Sequence, residues 1–132
     1  MPIIATDKPR HSNVVKHEYE PSLAYCRTTV TVNEAAATTY VIGTILGKVT
    51  STGKFIVAKE TAVDGSKTPA AVVLEDKTIT ATTDTKVLVA VRGPMIVSKA
   101  ALALDATYND ATKKGVAYTA LEALGILINE TV

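Results

Sequence analysis

The chain has 132 residues, 47% of them apolar, with no Trp, one Phe (Phe55), one Cys (Cys26) and a formal net charge of +1. That length suits one domain with a single substantial core. The near-neutral charge, with basic residues scattered singly except at Lys113-Lys114, argues against a nucleic-acid stripe or an anionic-membrane surface. One cysteine rules out an intrachain disulfide.

Residues 1 to 27 read differently from the rest. Pro2, Pro9 and Pro21 interrupt regular structure, because proline fixes φ and removes a backbone donor. The segment has no sustained helical or strand period and too little apolar surface to offset ordering its backbone. It reads as an extended, flexible arm, with Val14, Val15, Tyr19, Leu23 and Tyr25 as anchors along it. From Tyr25 the run Cys26-Arg27-Thr28-Thr29-Val30-Thr31-Val32 has high strand propensity, suited to pairing with the edge of another sheet. Cys26 itself reads as a small apolar residue in or beside that strand.

The body, residues 28–132, is expected to be an α+β fold with more strand than helix. Thr38 to Thr50 is a β-rich run, and Ser51-Thr52-Gly53 supplies turn chemistry for a hairpin into Lys54 to Lys59. A polar loop around Asp64-Gly65-Ser66 leads to a short apolar strand, Ala70 to Leu74. Ile79 to Thr83 reads as a mostly polar strand, and Lys86 to Val91 as a buried one. Arg92-Gly93-Pro94 breaks that strand before Met95-Ile96-Val97 resumes. Ser98 is placed to cap a short helix through Leu104. Asn109 or Asp110 is placed to cap a longer one carrying Ala117, Leu121 and Leu124 at i, i+4 and i+7. Gly125 suits a left-handed terminus, and Ile126 and Ile128 a short closing strand.

Reactive constellations are sparse. Both histidines, His11 and His17, fall in the arm, without the i, i+4 spacing of a helical metal site. The body has no histidine to serve as base to a nucleophile. Glu75-Asp76 would point to opposite faces of a strand and reads as a solvated strand end. Gly43-Thr-Ile-Leu-Gly47 lacks the spacing of a phosphate loop or dinucleotide fingerprint and marks a bend or close backbone approach instead. The expectation is a non-enzyme with no cofactor and no metal.

The succession GTILGKVTSTGKFIVAKETAVDGSKTPAAVVLED (Gly43 to Asp76), VLVAVRGPMIVSKAAL (Val87 to Leu102) and ALEALGILI (Ala120 to Ile128) resembles the lambda-type head decoration proteins of tailed bacteriophages. Block order and spacing carry the resemblance, over roughly residues 40 to 128. It implies a structural virion protein, made in the host cytoplasm and bound as a homotrimer to the outside of the expanded capsid at three-fold sites. Its partners would be the major capsid protein and further copies of itself. The N-terminal arms would add a strand to a sheet of the major capsid protein, with Val14, Val15, Tyr19, Leu23, Tyr25, Arg27 and Thr29 as the docking residues. Two other readings stay open: a tail or fibre-base adaptor, and a small-ligand or carbohydrate-binding β domain. For the last, the lack of Trp leaves few aromatic platforms.

Overall fold

A computed structural model describes residues 14–19 and 25–129. The chain forms ten strands and one α-helix among these residues. In order they are β1 (Val15–Glu18), β2 (Arg27–Val32), β3 (Thr38–Tyr40), β4 (Ile45–Lys48), β5 (Phe55–Val57), β6 (Pro69–Val73), β7 (Lys77–Ile79), β8 (Thr85–Ala90), β9 (Met95–Ser98), α1 (Ala111–Glu122) and β10 (Ile126–Asn129). Strands β2-β5-β4-β6-β8 close into a barrel, β1-β9-β10 form a three-stranded sheet, and β3-β7 a two-stranded one.

Two packed layers follow from side-chain alternation. Leu46, Ala71, Val73, Val87 and Val89 point into one cluster with Val32, Tyr40 and Ile79. Their neighbours Ile45, Val72 and Ala90 point the other way, into a second cluster with Val97, Met95, Leu121 and Ile126. β6 and β8 are therefore apolar on both faces, one filling the barrel and one lying beneath the three-stranded sheet and α1. That double burial explains why Lys86 to Val91 reads as a continuous apolar run rather than an alternating one. Gly47 shows how tightly the barrel is wrapped: a Cβ there would sit 2.0 Å from the Ser66 carbonyl oxygen, so close backbone approach sets the residue.

The β-rich body, the β4–β5 hairpin and the C-terminal helix and strand match the sequence reading. Asp110 caps α1 by accepting from the Lys113 backbone N–H at 2.8 Å. Gly125 adopts φ +88° just past the helix end. Three details differ. The short helix expected after Ser98 is only a 3-10 turn over Lys99–Ala101, with no side-chain cap from Ser98. Tertiary pairing overrides helix propensity there: the Ala103 N–H bonds the Gly43 carbonyl, and the Ala103 carbonyl accepts from Ile45. β7 ends at Ile79, where the expected strand began. Beyond it, Thr82 takes positive φ and donates its N–H to the Glu34 carbonyl.

The third difference concerns the N-terminal segment. Within its described part, Val15–Glu18 is a strand of the body, antiparallel to β9. Val14, Val15 and Cys26 lie in the second core cluster. Prolines flank the Val14–Tyr19 window without entering it, and an edge strand needs only one partner, so four residues suffice.

Candidate functional site

The outer face of the three-stranded sheet carries the most distinctive exposed surface. In β9, Met95 and Val97 point into the core, which turns Ile96 outward. In β10, Ile126 is buried and Leu127 is 56% exposed. β1 carries an irregularity between Val15 and His17. It leaves Val15 and Glu18 inward and Lys16 and His17 outward. Register then aligns His17, Ile96 and Leu127 in one row across the three strands.

An aromatic cluster continues this row past the end of β1. The Tyr19 N–H donates to the Pro94 carbonyl at 2.9 Å, extending the β1–β9 pairing by one residue. Tyr19 and Tyr25, 46% and 47% exposed, meet edge to face with centroids 5.5 Å apart. The Arg92 guanidinium lies 5.2 Å from the Tyr25 ring centroid, and its Nε donates to the Tyr25 carbonyl at 2.7 Å. Beneath them the buried Cys26 thiol donates to the Tyr19 and Pro94 carbonyls. That contact ties the start of β2 to the turn before β9. The Arg27 side chain folds back onto Glu18 at 2.7 Å, closing the flank of the cluster.

Chemically this surface has the make-up suited to recognition. Tyr presents broad, partly apolar area with few rotors to freeze, and Tyr and Arg are both enriched where interfaces concentrate binding energy. Edge-to-face and cation–π contacts hold the rings in place before any partner arrives. No group of three His, Cys, Asp or Glu side chains that could hold a metal occurs among the described residues. Among them too, no helix is long and apolar enough to cross a membrane.

Of the seven residues expected to dock, the six that are described are only partly brought together. Tyr19 and Tyr25 sit side by side on the exposed cluster, with Arg27 at its edge. Val14 and Val15 face the interior, 0% and 8% exposed, and present no side-chain surface to a partner in this conformation. Thr29 is exposed on β2, opposite Leu88 of β8, away from the row. Leu23 lies outside the described residues. Sequence reasoning gave no docking role to Arg92, Pro94, Ile96 and Leu127. Arg92-Gly93-Pro94 was legible as the break between two strands. The outward turn of Ile96 and Leu127 was not, since an outward apolar residue between two inward ones looks like continuous core.

No curated protein matches the chain. A family model described as bacteriophage lambda head decoration protein D matches residues 4–126, nearly the whole length. The chain belongs to this family of structural proteins of the bacteriophage capsid.

Proposed function

We propose that the protein decorates the outside of the expanded phage head as a homotrimer at three-fold sites and staples neighbouring copies of the major capsid protein. The observation that carries this reading is the preformed Tyr19–Tyr25–Arg92 cluster, continuous with the outward-facing row of half-buried Ile96 and exposed Leu127, on a chain of a head decoration family. A pre-ordered face that mixes aromatic, aliphatic and cationic side chains suits docking on a protein surface. Residues 1–13, ahead of β1, supply the strand added to a sheet of the major capsid protein. The place of Val14 and Val15 in the body's own core supports an added strand drawn from the residues ahead of them.

The energetics favour a multivalent design. Ordering roughly ten arm residues costs on the order of 10–20 kcal/mol of backbone entropy, so one arm with its patch binds weakly. Three such attachments on one trimer gain about 10²–10⁴ in avidity. Preference for the expanded lattice over its precursor then stabilises the expanded shell by mass action. No covalent step is needed.

Co-sedimentation with expanded, undecorated heads tests the reading. The full-length protein is expected to pellet saturably. Tyr25→Ala and Leu127→Asp, both at exposed positions, are expected to keep the fold and weaken binding by roughly 30-fold, the scale of one hot-spot residue. Unchanged binding by both variants would remove the sheet face from the docking surface. A folded full-length protein that never pellets would set decoration aside and turn attention to tails and fibres.

A further inference from the structure

The sheet face has a further feature at the flank away from the tyrosines. Tyr19 extends β1, so the aromatic cluster stands on one side of the β1-β9-β10 sheet and β10 on the other. Beside β10 lies a shallow hollow of about 420 Å³, lined by Ile96, Glu122, Leu127, Ile128 and Asn129. Its walls are aliphatic where β9 and β10 supply them, and Glu122 is the one charged residue in its lining. The hollow has room for one long side chain, but it is too open to enclose a small molecule away from water.

Glu122 breaks the charge rule of its own helix. It is the last residue of α1, where the aligned peptide dipoles leave partial negative charge. A carboxylate is disfavoured there, and the last turn holds no basic residue to offset it. The Glu122 side chain is exposed and makes no ion pair or hydrogen bond among the described residues. Lys99 lies 5.2 Å from the centroid of the Tyr118 ring, one turn earlier on α1, and is not paired with Glu122. A charge that works against its own element, with nothing inside the chain to compensate it, points to a role outside the chain.

We infer that this hollow receives a lysine or arginine side chain of the major capsid protein, its stem on Ile96 and Leu127 and its cationic head on the Glu122 carboxylate. The inference rests on the proposed docking of the sheet face, and it names the chemistry that face meets at its β10 flank. A long basic side chain matches both parts of the hollow, since its methylenes cover apolar wall while the charged head reaches the rim. An acidic side chain would meet Glu122 with like charge, and a purely apolar one would bury the carboxylate unpaired. With Arg92 in the aromatic cluster and Glu122 beside β10, the face is positive on one flank and negative on the other. Such polarity favours one orientation of docking over its reverse.

Glu122→Gln and Glu122→Lys test the inference by co-sedimentation with expanded, undecorated heads at low and high salt, beside thermal melting of the free proteins. Both variants are expected to melt at or slightly above the wild type, since each removes a carboxylate from the negative end of α1. Glu122→Gln is expected to bind heads about tenfold more weakly at low salt, and Glu122→Lys more weakly still, because three sites per trimer lose the pair together. Binding by Glu122→Gln is expected to depend less steeply on salt than wild-type binding, as one screened attraction per copy is gone. Wild-type affinity and salt dependence in both variants would overturn the inference and leave decoration standing. Weaker binding with unchanged salt dependence would overturn the cationic occupant. Weaker binding with a lowered melting temperature would assign Glu122 to the fold and overturn the inference too. A folded wild-type protein that never pellets would overturn the inference and decoration together.

Discussion

Glu34 and Tyr40 are the pair on which the barrel end most depends. The Tyr40 hydroxyl donates to Glu34 Oε2, and the same oxygen accepts the Val57 N–H at 2.9 Å. One carboxylate thus links the β2–β3 connection to β3 and β5. Glu34→Ala strands a buried hydroxyl and a buried amide together, and is expected to cost about 2–4 kcal/mol in urea unfolding. A loss below ~1 kcal/mol would mean that water replaces the carboxylate easily. Burial, then the hydrogen bond and charge of Glu34, push the Tyr40 phenol well above its ordinary 10.0. With the folded value raised, the stabilisation is complete below pH 10 and declines above it, because the unfolded chain releases a proton that the folded one keeps. Tyr40→Phe removes one such proton. Its stability should fall less steeply above pH 10 than the wild type's, by up to about 1.4 kcal/mol per pH unit. Equal slopes between pH 10 and 11.5 would show that Tyr40 ionises in place.

At the scale of elements, the features legible in the sequence are those that local chemistry decides. Asp110 ahead of a helical period, Ser51-Thr52-Gly53 between two apolar runs, and Gly125 past the helix all appear where those residues require them. What tertiary pairing decides was not legible. Val15–Glu18 looked like arm because its single partner, β9, lies almost eighty residues on. Ala100 to Leu104 has good helix formers, but Ala103 bridges to Thr44 instead. The exposed cluster was half legible, as Tyr19 and Tyr25, and half hidden, as Arg92 and Leu127 brought in from distant elements. Two substitutions test the packing inferred here. Leu121 is fully buried on α1, so Leu121→Asp places an uncompensated charge under the three-stranded sheet and is expected to abolish cooperative folding by circular dichroism. Gly47→Ala forces the Ser66 backbone away from β4 and is expected to cost about 1–3 kcal/mol. A neutral Gly47→Ala would show the 60–68 loop to be compliant.

For the whole molecule, the strand status of Val15–Glu18 changes where the attachment can be separated from the body. A cut after residue 27 takes away Val14, Val15 and Cys26 from the core along with all of β1. It also leaves β9 unpaired on one side and removes both members of the Arg27–Glu18 ion pair, with Arg27 the first residue of β2. Losing three buried apolar side chains at ~1.5–3 kcal/mol each approaches the whole stability of an ordinary domain. The protein lacking 1–27 is therefore expected to unfold or to melt far below the full-length form, and its failure to bind heads would say nothing about docking. A cut after residue 13 spares every one of those contacts. That version is expected to melt within a few degrees of full length by calorimetry, yet to lose at least about a hundredfold in head affinity as three arm contacts vanish together. Retained affinity in this stable truncation would assign docking to the sheet face alone and make the added strand unnecessary. A large drop in melting temperature would instead show residues 1–13 to be part of the body.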